Sequence, residues 1–207
     1  MEADLVPFSN KNDRHKLYKL LVSSIFSAIS SFLMLFSFSV PFAPAFLKLD
    51  LSEIPALIVS FAIGPAYGIL VELIKNIINI FFTTNTFIGN IANFLIGSSF
   101  VFTAGIIYKH KKSQKVAVIS LICATIAMAV WGTLINYFFL IPIYSLVMPI
   151  DSILAMFGSI NNNFDSLFNV VLFTIFPFNI LKGIIISILT FLLYKKISPI
   201  INKVLKY

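Results

Sequence analysis

Apolar and polar positions separate along this chain into six apolar runs divided by short polar breaks. The first run covers residues 17–40 and follows a polar stretch over 1–16. A polar break over 41–53 comes next. Within it Asp50-Leu51-Ser52-Glu53 reads as a helix start, with short side-chain acceptors placed to cap free backbone N–H groups. A second run, 54–63, stops at Gly64-Pro65, a pair that punctuates helices. A third continues to residue 82. The second and third runs share about thirty residues, so at roughly 20 residues per crossing the second is short, tilted, or starts below the membrane surface. A polar turn over 83–90 precedes a fourth run, 91–108. A fifth covers 116–141 and a sixth 167–194. The connection 142–166 holds Asn161, Asn162 and Asn163 and a short surface helix. The first run is too long for the apolar core of a secretory signal, about 7–15 residues, and more spans follow it, so Ala43-Pro44-Ala45 is not read as a cleavage site.

The pattern predicts an all-α integral membrane protein with six transmembrane helices in a single membrane domain over 1–207. A cytoplasmic segment 1–16 leads into a bundle over 17–194 and a basic tail over 195–207. Composition agrees. Apolar residues make up 59% of 207 positions and charged residues 11%, against about half and a quarter in soluble domains. A water-soluble fold of this size would leave apolar patches over its exterior.

Charge then sets orientation. Twelve of the fifteen Lys and Arg residues fall in three segments: Lys11 to Lys19, Lys109 to Lys115, and the tail from Lys195. With six spans these lie on one face, the cytoplasmic one by the positive-inside rule, which puts both termini in the cytoplasm. Nucleic acid is not the reading of the +7 net charge, because the cations flank apolar runs. A single cysteine, Cys123, rules out an internal disulfide. No Cys/His cluster has metal-ligand spacing. No G-x-x-x-x-G-K-[ST] loop for ATP appears, nor a nucleophile elbow or His-based triad. Neither an enzyme nor a cofactor is expected, and uptake against a gradient needs outside help.

Three cations remain: Lys48, Lys75 and Lys182. An ionisable group within a span marks a functional site unless it is paired or snorkels. Lys182 and Asn179 share one face of span six and offer enough donors and acceptors to read a planar polar ligand; an interhelical clamp or a snorkelling lysine is the other reading. Asn136, at similar depth in span five, reads as a ligand contact or a helix–helix hydrogen bond. Glu72, at i−3 from Lys75 and i−4 from Asn76, predicts an intrahelical ion pair of structural character. Lys48 lies in an apolar outer loop that reads as a solvated connection or as a lid over a site. In span one Ser24 and Ala28 are four apart, as are Ser27 and Ser31, a spacing that suits either internal packing or docking to a partner membrane protein.

Taken together, Phe46-Leu47-Lys48-Leu49-Asp50-Leu51-Ser52-Glu53-Ile54-Pro55, Gly64-Pro65, Lys75-Asn76, Asn93-Phe94-Leu95-Ile96-Gly97, Asn136-Tyr137-Phe138 and Pro177-Phe178-Asn179-Ile180-Leu181-Lys182-Gly183 resemble, in order, the riboflavin-specific S component of energy-coupling factor (ECF) transporters. The resemblance implies a six-helix protein of the bacterial cell membrane that captures the vitamin from outside with high affinity. Its implied partners are a transmembrane coupling subunit and two cytoplasmic ATPases, which drive release by toppling it in the membrane. It further implies that the flavin sits near the outer face, with Asn136, Asn179 and Lys182 hydrogen-bonding its isoalloxazine or ribityl groups. Ala45, Phe46, Leu47 and Lys48 would close the site. Ser24 and Ala28 stand where the family's Ala-x-x-x-Ala motif meets the coupling subunit, with Ser as the departure. Glu72, Lys75, Asn76 and Asn93 are structural or secondary polar positions.

The competing readings are an S component for thiamine, folate or a flavin relative, a lipid-acting membrane enzyme, and an assembly subunit without a ligand. With eight acidic residues in the chain and Glu72 alone within a span, the enzyme reading has little to build on.

Overall fold

The computed structural model describes residues 11–40, 47–82, 87–146, 149 and 167–204. Helix α1 (Lys11–Leu35) leads to a short antiparallel hairpin of β1 (Phe38–Ser39) and β2 (Lys48–Leu49), paired Phe38 to Leu49 and Ser39 to Lys48. Helices α2 (Glu53–Ala62), α3 (Pro65–Phe82) and α4 (Phe87–His110) follow. Helix α5 (Gln114–Ser145) is α-helical over Gln114–Ile135, widens to a π-helical turn at Asn136–Leu140 and closes as Ile141–Ser145. Helix α6 repeats the device: Leu167–Val170, a π-helical turn at Val171–Ile175, then Phe176–Val204.

Five of these helices are long and apolar enough to cross a membrane, and α2 is the short sixth. Its ten residues span about 15 Å, half of an apolar bilayer core of about 30 Å. Every one of them is buried, as expected of a helix apolar nearly all round. It packs against α1, α3, α4 and α6 and forms the axis of the bundle. The expected short second span is therefore a central half-span. Around it, Ile25, Phe32, Phe81, Phe102, Ile122 and Phe138 point outward, an exterior suited to lipid.

The cytoplasmic end is fixed by packing. Val22 of α1, Tyr108 of α4, Ala117 of α5 and Ile201 of α6 share one core with α2. There the Phe61 ring stacks 4.4 Å from Tyr108 and 5.3 Å from Tyr194, centroid to centroid. The clustered cations at 109–115 and from 195 therefore emerge at one end, as the charge pattern requires. Gly64 makes the α2–α3 reversal at this end with φ of +142°, a backbone region that side-chain-bearing residues rarely occupy.

Several boundaries differ from expectation. Span one ends at Leu35, because the apolar residues after it turn into the hairpin instead of continuing the helix. Pro142 and Ser145 belong to α5, since the π-turn carries the helix outward beyond 141. The helix of span six continues through Pro199 to Val204, so residues 195–204 are the last turns of α6 and not a separate tail. Ser52 stands at the N-cap of α2 without a side-chain capping bond; its hydroxyl turns instead to Asp50. The Asn run and surface helix expected over 150–166 lie outside the described residues.

Gly64→Ala should lower unfolding stability by about 1–3 kcal/mol, the ordinary cost of a residue forced into a sparsely populated backbone region. Thermal melting of detergent-purified protein checks this, with helix content at low temperature unchanged.

Candidate functional site

The outer half of the bundle holds a buried ionic cluster, assembled from the two lysines that fall within apolar runs. Lys75 of α3 is fully buried. Its Nζ lies 2.9 Å from Glu72 Oε2 and 3.5 Å from Glu53 Oε1, and donates to Ser52 Oγ at 2.8 Å. Lys182 of α6 is 3% exposed, with Nζ 2.7 Å from Glu53 Oε1 and 3.1 Å from Asp50 Oδ2. Asp50 Oδ1 accepts from the Ser52 backbone N–H at 2.9 Å and from the Ser52 hydroxyl. The Ser30 hydroxyl of α1 donates to the Ser52 carbonyl. Glu53 thus bridges both lysines at the first turn of α2, where a carboxylate is also favoured by the helix dipole.

The spacing-based ion pair between Glu72 and Lys75 is present, but it is one edge of a larger network. Burial by itself would raise the carboxyl of Asp50, in the loop before α2; the ammonium groups of Lys182 and Lys75 and the two bonds from Ser52 outweigh it and hold that carboxyl at about 2.

The two carboxamides meet across α5 and α6. Asn136 opens the π-turn of α5, and its Nδ2 donates to Gly132 O at 2.7 Å. Asn179 of α6 donates from Nδ2 to Ile175 O, the last residue of the other π-turn, at 2.9 Å. Its carboxamide lies flat on Gly132: a Cβ there would stand 2.7 Å from Nδ2 and 3.0 Å from Cγ. Only glycine leaves room for Asn179, and the same glycine's carbonyl holds Asn136. Asn136, Asn179 and Lys182 are all buried. One helical turn of α6 separates the last two, and Asn136 and Asn179 both adjoin Gly132. Each Nδ2 bond uses one of several carboxamide valences, leaving the rest for another partner. π-turns frequently occur at functional sites.

The hairpin covers this region. Leu47 packs against Ile141, Val171 and Ile175 and also against Val40, Leu49 and Phe178, joining the outer ends of α5 and α6. Lys48 is half-buried in β2. Ala45 and Phe46 lie outside the described residues. On α3, Asn76 donates from Nδ2 to Glu72 O at 2.8 Å; on α4, Asn93 is half-buried. On α1, Ser23, Ser27, Ser30 and Ser31 are buried in the bundle, whereas Ser24 and Ala28 face outward beside Leu21, Ile25 and Ile29. The small residues of span one thus serve internal packing on one face and leave the other face open.

Sequence reasoning missed Asp50, Ser52 and Glu53 as partners of the lysines, and Gly132 as the seat of both carboxamides. The first three carried a signal: two acids immediately ahead of an apolar run, in a chain with eight acids altogether. Gly132 carried none.

Lys75→Met leaves Glu53 and Glu72 without their shared cation and should cost about 3–5 kcal/mol of stability, as for other broken buried pairs. Adding Glu72→Gln should recover part of that loss, which melting of the single and double variants will read.

The family described as "ECF transporter, substrate-specific component" matches residues 18–194. The chain is 39% identical over 198 residues to riboflavin transporter RibU of Staphylococcus aureus (strain TCH60), covering 93% of this chain and 100% of that protein. It is 32% identical over 191 residues to riboflavin transporter FmnP of Bacillus subtilis (strain 168), covering 91% and 96%. A solved structure titled for the structure and mechanism of the S component of a bacterial ECF transporter superposes with a TM-score of 0.72 at 38% identity, over 89% of this chain and 98% of that one. A structure titled for ThiT from Listeria monocytogenes shares the fold, with a TM-score of 0.57 at 18% identity over 90% and 97%. A family match over most of the chain, relatives aligned nearly end to end and the six-helix fold agree: this chain belongs to the substrate-specific components of ECF transporters.

Proposed function

We propose that this membrane protein is the riboflavin-capturing subunit of an ECF importer, with the flavin held by Asn136, Asn179 and Lys182 beneath Leu47 and Lys48 of the hairpin region, and with Ala45 and Phe46 helping to close the site. The observation that carries the reading is the meeting of Asn136 and Asn179 at Gly132, one turn from Lys182 and under Leu47. Riboflavin is neutral, planar and rich in acceptors along its pyrimidine edge, and an apolar pocket with a few convergent amides and one ammonium suits it. Near-complete alignment with two named riboflavin transporters supports this ligand over another vitamin.

The protein is a carrier component and not an enzyme, and the flavin is cargo. Without a nucleotide-binding loop in its sequence, it draws the energy for release from a transmembrane coupling subunit and two ATPases. The outward face of α1 with Ser24 and Ala28 is the proposed seat of the coupling subunit, because small residues let a partner helix approach closely.

Detergent-purified protein should quench riboflavin fluorescence on binding; protein that takes up no flavin in equilibrium dialysis would remove the assignment. Asn179→Ala and Asn136→Ala should each weaken binding about tenfold or more, the loss expected when one ligand hydrogen bond goes and its partner is left buried. Gly132→Ala should do the same by displacing Asn179 while α5 stays folded. Lys182→Ala tests less cleanly, since it also strands Asp50 and Glu53.

A further inference from the structure

The inner ends of α4, α5 and α6 carry cations without acids. Lys109, Lys111, Lys112 and Lys115 lie around the α4–α5 turn, and Lys195 and Lys196 in the inner turns of α6; all six are exposed. The chain supplies them with no local counter-charge, since no acid occurs between 109 and 115 or after Asp165. None of the six enters an ion pair among the described residues. Packing brings the two groups together. Tyr108 and Tyr194, which precede Lys109 and Lys195, hold their rings 5.8 Å apart, centroid to centroid.

Two contacts fix how α5 and α6 lie against each other. Asn179 rests on Gly132, and nearer the inner end Thr125 Oγ1 stands 3.3 Å from Ser187 Oγ. Continued inward, this antiparallel register sets Lys115 level with Lys196. Both lysines adjoin apolar side chains that point out of the bundle. On α5, Val118, Ile119 and Ile122 follow Lys115 at i+3, i+4 and i+7; on α6, Leu192 precedes Lys196 at i−4; all four are exposed. Side chains at these spacings share a helix face. Each helix therefore presents an exposed stripe that is apolar within the membrane and cationic at its inner end.

This pattern selects its occupant by chemistry. A free anion would use the ammonium groups and leave the apolar stripe untouched. A phospholipid with a negative headgroup uses both, its phosphate on the lysines and its acyl chains along the stripe. The depth matches, because these lysines mark the cytoplasmic boundary and the cytoplasmic leaflet carries anionic lipid. Lysine stems lie along apolar surface while the ammonium group reaches the headgroup plane.

We propose that the inner corner of α5 and α6 is a binding site for an anionic phospholipid, with Lys115 and Lys196 on the headgroup and Val118, Ile119, Ile122 and Leu192 along the acyl chains. The site uses no residue of the proposed flavin site and none of the α1 face with Ser24 and Ala28, so it stands or falls independently of both.

The full-length protein in neutral detergent is titrated with phosphatidylglycerol and, in parallel, with phosphatidylcholine of the same acyl chains, and bound lipid is read by native mass spectrometry. Wild-type protein should bind phosphatidylglycerol more tightly. Lys115→Gln and Lys196→Gln should each lower that affinity about fivefold, the effect of one lysine near a charged lipid surface, and leave phosphatidylcholine binding unchanged. Lys16→Gln, which removes an exposed cation from α1, should leave both affinities as they are. Equal binding of the two lipids by wild-type protein overturns the site. Equal losses in all three variants overturn it in favour of diffuse surface charge. Inorganic phosphate should not displace the lipid; displacement at matched concentration overturns the lipid assignment in favour of a free-anion site. Both lysines are exposed, so the variants should melt as the wild type does.

Discussion

The fold depends on satisfying two lysines in a place where water cannot. An ammonium group inside an apolar bundle is costly unless neutralised and hydrogen-bonded, and the surrounding chain is arranged to do both. Asp50 and Ser52 come from the loop after the hairpin, Glu53 from the start of α2, Glu72 from α3, and Ser30 of α1 braces the Ser52 carbonyl. One polar knot therefore joins α1, the hairpin loop, α2, α3 and α6. A half-length helix such as α2 would have little to fix its depth in an apolar surround. Glu53 at its first residue, held by two cations, supplies that anchor.

The same knot links the outer cover to the binding region. Asp50 is one residue beyond β2, and it holds Lys182 of α6 directly. Leu47, just ahead of β2, packs on the π-turn of α6. The hairpin is thus tied to α6 at two points, one apolar and one ionic, on either side of its second strand. A displacement of the hairpin disturbs both the ceiling over Asn179 and the charge environment of Lys182. The position of the hairpin and the environment of the Lys182 ammonium group are in this way coupled.

Much of this was legible in the sequence, and the exceptions share a cause. Helix number, orientation and the short second span followed from apolar run length and the placement of cations, because lipid imposes those constraints locally. Asn136, Asn179 and Lys182 stood out as polar residues in apolar runs, and the Glu72–Lys75 pair followed from helical spacing. What stayed hidden is non-local. Asp50 and Lys182 are 132 residues apart, and no periodicity relates them. Asp50-Leu51-Ser52-Glu53 read as a capping sequence because local chemistry offers the same residue types for that purpose, whereas the buried lysines claim them first. Gly132 looked like any glycine in a helix; its role appears only when α6 lays Asn179 across it.

The arithmetic of donors shows how the proposed site, beside so many charges, would suit a neutral ligand. Lys182 has three N–H donors, and Asp50 and Glu53 engage it at hydrogen-bonding distance. Its charge is met within the protein by two carboxylates, one fewer than its three donors. In the proposed site a ligand would then be offered a strong directional hydrogen bond without having to supply a counter-charge. Asn136 and Asn179 act alike: each spends one N–H on its own helix at a π-turn, which fixes the carboxamide, and keeps its remaining valences. Side chains immobilised by the protein's own bonds lose little further freedom when a ligand arrives, and such preorganisation is a main source of affinity for a small polar molecule.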